Sequence, residues 1–74
     1  MRRWDIVKQN GRYWSFVHRD QRGVIHLKRM GHDGKMYWME YWSSRVEEII
    51  IKGSEFESEM ESLRTALVYE KMDR

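Results

Sequence analysis

The 74-residue chain contains no cysteine and no proline, only five glycines, and no long apolar run. Each absence excludes something. Without cysteine there is no disulfide framework and no thiolate metal site, a composition that fits a reducing compartment. Without proline, the turns must rely on glycine, asparagine and aspartate. No stretch approaches the roughly 20 apolar residues that a membrane helix needs. The start, Met1-Arg2-Arg3-Trp4-Asp5, meets an acid before any apolar segment develops, so no secretory leader is expected. The expectation is one soluble, cytoplasmic domain over residues 1–74, without membrane contact. It lies near the lower end of the size range that folds without staples, so its stability must come from packing.

What the chain does have is aromatic residues and segregated charge. Four tryptophans make a small dense core feasible, since each buried aromatic removes roughly 150–250 Å² from water. The net charge of +2 conceals an uneven distribution. Residues 1–42 carry nine lysines and arginines against four acids, residues 43–53 are neutral, and residues 54–74 carry six acids against three bases. Such asymmetry suits a polyanion on one side or a charged partner on the other.

The stretch from Arg12 to Trp42 holds three of the four tryptophans, three of the four tyrosines and all three histidines. Its alternation predicts antiparallel strands. A first strand over residues 3–9 leads into Asn10-Gly11, the strongest short hairpin signal. Residues 12–19 then form a second strand, which places Val7 opposite Trp14 and Ile6 opposite Ser15. Asp20 to Gly23 is a turn, Val24 to Met30 a third strand, Gly31 to Gly34 a turn, and Lys35 to Trp42 a fourth strand. Treating both turns as four-residue loops places Phe16 opposite Leu27 and Leu27 opposite Trp38. One sheet face then carries Val7, Trp14, Phe16, Ile25, Leu27, Met36 and Trp38 and reads as the core. The other mixes aromatic residues with cations.

Residues 45–52 support two readings. Ser44 and Glu47 form a capping-box pattern for a short helix, with Gly53 beyond its end. Three consecutive isoleucines favour a fifth strand instead. Beside the fourth strand, its simplest register would oppose Glu40 to Glu47, which is unfavourable. After it, Ser54 and Glu57 make a second capping box, and Phe56, Met60, Leu63 and Leu67 recur at helical spacing. A helix over about residues 55–71 is predicted, its apolar stripe laid on the core face. The expected fold is α+β: an antiparallel four- to five-stranded β-meander over about residues 3–51 with one amphipathic C-terminal helix packed on one sheet face.

Catalysis has little support. His18 and His26 fall on opposite faces in this register. His32 beside Asp33 has no neighbouring nucleophile. Gly31, Gly34 and Lys35 are too closely spaced for a phosphate loop. Three histidines without cysteine do not make a zinc site. No catalytic residue, metal or cofactor is expected, and the chain reads as a non-enzymatic binding module.

Two surfaces are candidates for binding. The first is the basic aromatic sheet face with Lys8, Tyr13, Arg19, His26, Lys28, Lys35, Tyr37 and Tyr41. Nucleic-acid modules with open sheets stack bases on aromatic rings and hold phosphates with lysine or arginine, so DNA or RNA is the first expectation. The second is the acidic segment of Glu55, Glu57, Glu59 and Glu61, which could imitate nucleic-acid phosphates and occupy a basic groove on a protein. The second expectation is therefore a protein-binding modulator or inhibitor, or a homodimer. Small, charged, cysteine-free chains of this style are common among phage and mobile-element proteins that bind a host protein. Arg12-Tyr13-Trp14, the turn from Asp20 to Gly23 and the strand after it resemble, in layout, the strand–turn–strand pattern of the arm-type DNA-binding domains of tyrosine recombinases. The segment from Lys35 to Gly53 departs from that pattern, and no site residue is carried over from it.

Overall fold

The computed structural model describes residues 1–42 and 48–73. Five strands form one antiparallel sheet: β1 (Ile6–Gln9), β2 (Arg12–Arg19), β3 (Val24–Met30), β4 (Met36–Trp42) and β5 (Glu48–Ile51). A 3-10 turn over Gly53–Glu55 and one helix, α1 (Glu59–Met72), follow. The sheet order is β4-β3-β2-β1-β5. The first four strands are a meander, as their turn residues predict. The fifth pairs with β1 across the sheet and not with β4 beside which it was expected. The Ser44–Glu47 capping pattern and the opposition of Glu40 to Glu47 lie outside the described residues.

The first hairpin follows directly from its sequence. Asn10 and Gly11 both take positive φ, 54° and 72°, as a type I′ turn requires. Val7 accordingly faces Trp14 and Ile6 faces Ser15. Residues 3–5 are not strand. Trp4 takes φ 73°, the Asp5 carboxylate accepts from the Arg2 amide at 2.8 Å, and the chain turns before it enters β1.

The other two turns are a residue shorter than their glycines suggest. Asp20 N donates to Val24 O at 2.9 Å, and Gly31 N donates to Lys35 O at 2.7 Å. Each loop therefore contains three residues and ends in a glycine with φ near +80°, Gly23 or Gly34, a common three-residue hairpin form. An odd loop shifts the register by one. In β2 and β3 a bulge between Phe16 and His18 cancels the shift, so Phe16 still meets Leu27. In β4 nothing cancels it. Leu27 meets Met39, and Trp38 meets Lys28. The whole of β4 is turned over relative to the expectation.

The two faces hold separate clusters. Val7, Trp14, Phe16, Ile25 and Leu27 are buried together, with Met39 and Tyr41 packed against them. This cluster is built from strand residues. The Trp14 indole N–H donates to Gln9 O at 3.1 Å. On the other face, Ile6, Tyr13 and Ala66 form a second cluster with Ile50, Ile51, Phe56 and Tyr69 around it. The helix lies on this second face and not on the first. Ser62 and Ser15 share a buried hydroxyl contact at 2.8 Å. Because Ser62 Oγ donates to Trp4 O at 2.8 Å, it is Ser15 that donates to Ser62.

The helix also starts later than predicted. Ser58 is its N-cap and accepts from Glu61 N, while Glu61 accepts from Glu57 N at 2.9 Å. Ser54 belongs to the 3-10 turn, which is held by Gly53 N donating to Asp5 Oδ1 at 2.5 Å. The buried helix residues are Ser62, Leu63, Ala66 and Glu70. Of the expected stripe only Leu63 is fully buried, and Met60 is exposed. A small, partly polar helix face fits here because the strands beneath it offer Ser15 and Tyr13 alongside Ile6.

Candidate functional site

The residues expected to bind nucleic acid are not brought together. Lys8, Tyr13, His26 and Lys28 lie on the helix side of the sheet by register. Arg19, Tyr37 and Tyr41 lie on the other side, and Lys35 lies in the turn before β4. Several of the first group are already engaged. Tyr13 donates its hydroxyl to Asp73 of the helix end, and Lys8 approaches the same carboxylate at 3.7 Å. Lys28 donates to Glu59 at 2.6 Å. His26 Nε2 lies 2.9 Å from Asp20 Oδ2. Glu59 and Asp73, at the two ends of the helix, pair with cations of the face it covers, so part of the charge asymmetry of the sequence is an internal complementarity.

Of the acidic segment, Glu59 is therefore part of the sheet–helix contact and Glu61 part of the helix cap. Glu55 and Glu57 are exposed. On the opposite face, Tyr37 donates to Asp33 at 2.6 Å, its ring lies under the Arg29 guanidinium at 4.4 Å, and Tyr41 packs against the strand cluster.

Two histidines expected to be separated are in contact. The bulge at Val17 brings His18 onto the face of His26, and their rings stack at 4.3 Å with planes 7° apart. Asp20 beneath them is held well below the usual carboxylate range, first by its hydrogen bond with His26 and then by Arg22. It also accepts from the amides of Arg22 and Val24, at 2.9 and 3.2 Å. This cluster rigidifies the β2–β3 turn.

A depression of about 400 Å³ is lined by Met1, Arg2, Asp5, Ile49, Lys52 and Ser54. Its carboxylate, Asp5, is buried and bonded to the amides of Gly53 and Arg2, which leaves that group a structural role.

The feature that stands out is β4. Its helix-side residues are Met36, Trp38, Glu40 and Trp42, and the helix does not reach over them. Trp38 is 62% exposed and Trp42 59%. Exposed tryptophan at two positions of one strand face is unusual for a side chain of that size. Lys28, the neighbour of Trp38 on β3, places its ammonium 4.7 Å over the Trp38 ring. Glu40, between the two indoles, faces His26 and Arg22 at 3.8 Å each.

β4 is also an edge strand, and no described segment pairs with its outer side. Hydrogen-bonded pairs alternate along an antiparallel ladder. Because Gly31–Lys35 is bonded, the β4 residues bonded to β3 are Tyr37, Met39 and Tyr41. The amides and carbonyls of Met36, Trp38, Glu40 and Trp42 point outward along the open edge. Natural sheets protect such edges with bulges, proline, lysine or brevity. The opposite edge, β5, has four residues and meets β1 through a bulge. β4 has seven residues, no bulge against β3, no lysine and one acid.

The reading from sequence assigned Trp38 and Met36 to the core and so missed this surface. The face of β4 is set by the loop after β3, which holds three residues, His32 to Gly34, between the bonded pair Gly31 and Lys35. Among the described residues, no helix is long and apolar enough to cross a membrane. No family model matches the chain, and neither a curated protein nor a solved structure is significantly similar to it.

Proposed function

We propose that the protein is a non-enzymatic binding module that takes an extended polypeptide strand along the open edge of β4. The observation that carries this reading is the coincidence of two exposed tryptophans with outward-pointing backbone groups on one long, unprotected edge strand. In strand addition the main chain supplies hydrogen bonds and alternate side chains supply specificity. Tryptophan is among the residues that most often dominate binding energy at protein interfaces. Here Trp38 and Trp42 would contact every second residue of the added strand, and Lys28, beside Trp38, would favour an acid there.

The test is a displayed-peptide selection on the wild-type protein and on a Trp38→Ser, Trp42→Ser double variant. Extended sequences rich in β-branched and aromatic residues should be enriched on the wild type and lost on the variant. Fluorescence anisotropy with labelled single-stranded DNA, duplex DNA and RNA supplies the opposing outcome. Nucleic-acid binding that falls linearly in log salt and depends on Lys28 and Trp38, with no peptide or protein strand bound, would overturn the reading in favour of base stacking on the same rings.

A further inference from the structure

We infer that the strand β4 receives is β4 of a second copy of this chain, in an antiparallel register centred on Met39. The inference rests on the strand-addition reading above and names its partner. Only registers that pair the outward set, Met36, Trp38, Glu40 and Trp42, with itself can make ladder bonds across a two-fold axis. Three of these keep most of the strand paired. Centring on Glu40 sets the two carboxylates opposite each other, which is unfavourable, and leaves Met36 unpaired. Centring on Trp38 leaves Trp42 overhanging.

Centring on Met39 pairs all seven residues of β4. Met36 then faces Trp42 of the second copy, Tyr37 faces Tyr41, and Trp38 faces Glu40. On the helix side the thioether of Met36 meets an indole, a favourable contact. Each Glu40 arrives beside a Trp38 whose ring already carries the Lys28 ammonium at 4.7 Å, so charges of opposite sign come into line across the junction. On the other side Met39 meets Met39 between two tyrosine pairs. Every outward amide and carbonyl from Met36 to Trp42 finds a partner, and two five-stranded sheets become one continuous sheet. An edge that would otherwise invite open-ended aggregation is closed by its own symmetry.

The natural absence of cysteine permits a clean test. In non-hydrogen-bonded antiparallel pairs the Cβ atoms lie about 4.5–5.5 Å apart, close enough for a disulfide with slight adjustment. Met39→Cys should therefore give a covalent dimer under mild oxidation, whereas Glu40→Cys, diagonal to its counterpart, should remain uncrosslinked. Sedimentation equilibrium of the unmodified protein should show twice the 9.2 kDa chain mass. Glu40→Pro should sediment as a monomer, because it removes an outward amide without touching the bonds to β3. Circular dichroism checks that this variant is folded, and Trp38→Glu, which sets a carboxylate opposite Glu40 of the second copy, serves the same purpose if it is not. A wild-type monomer up to the solubility limit, or crosslinking at position 40 and not at 39, overturns the inference. A monomer that still selects peptides through Trp38 and Trp42 would leave the strand-addition reading intact, and a monomer that selects none removes both.

Discussion

Lys28 of β3 and Glu59 of the first turn of α1 lie 2.6 Å apart, a strand cation held by a helix acid. The sequence suggests separate binding surfaces for the two residues, and the fold joins them. Glu59 sits where the helix dipole favours an anion, and Lys28 uses the same ammonium to cover Trp38. The Lys28 side chain is mostly shielded and that of Glu59 partly open, so the pair is worth about 1 kcal/mol, the upper end for exposed pairs. Urea unfolding of Lys28→Met, Glu59→Gln and the double variant should return a coupling energy of that size. A value near zero would show that the pair is incidental to the fold.

Glu70 is a buried carboxylate near the end of α1. It accepts from Arg12 at 2.6 Å and lies 3.9 Å from Arg29. The Arg29 guanidinium stands over the rings of Trp14 and Tyr37 at 5.2 and 4.4 Å. Removing the carboxylate strands a largely buried arginine. Glu70→Ala should cost about 3 kcal/mol, a loss typical of breaking a buried pair. Glu70→Gln, which keeps the shape and an acceptor, should cost less. Equal losses in chemical denaturation would indicate that packing and not charge dominates there.

Gly53 is required for its lack of a side chain. A Cβ at this position would lie 2.0 Å from Arg3 O and 2.8 Å from Asp5 N. The backbones would have to separate, and the bond from Gly53 N to Asp5 would lengthen. Gly53→Ala should destabilise by about 2 kcal/mol, within the range for forced overpacking. Faster exchange of the Gly53-position amide should accompany it. An unchanged melting temperature would refute this contact.

The pH dependence has one acid and one alkaline arm. Asp20 is depressed from its ordinary 3.8, mainly by its hydrogen bond with His26. A carboxyl depressed by folding contributes stability that is present above pH 3.8 and lost as pH falls through the folded value. Wild type should therefore lose stability in acid more steeply than Asp20→Asn. Tyr13 and Tyr37 are raised above 10.0, chiefly by donating to Asp73 and Asp33. Their contribution is present below pH 10 and lost as pH rises through the folded values. Ultraviolet titration should show a late-ionising phenol that disappears in Tyr13→Phe, and another that disappears in Tyr37→Phe.

By itself the sequence determined the local order of this protein. Asn10-Gly11 set the first hairpin and, with it, the pairs Val7–Trp14 and Ile6–Ser15. Residues 45–52 stayed open between helix and strand, while alternation located β2 to β4, and acids preceding an apolar periodicity marked the C-terminal helix. These features depend on neighbouring residues, and so they are legible. The sequence also grouped Val7, Trp14, Phe16, Ile25 and Leu27 on one face, but only the tertiary structure decided which face β4, His18 and the helix serve. The face of β4 turns on whether the loop after Met30 holds three residues or four, a difference of one residue that reverses every side chain. The bulge at Val17, which stacks His18 on His26, absorbs the same shift in β2. The helix settled on the face of Ile6, Tyr13 and Ser15 because Ser62, Ala66 and Glu59 find partners there, contacts that span dozens of residues. Its start at Ser58, not Ser54, depends on Asp5 holding Gly53. Parity and long-range pairing are cooperative properties of the assembled sheet. They left Trp38 and Trp42 in the open, where local pattern had placed Trp38 in the core.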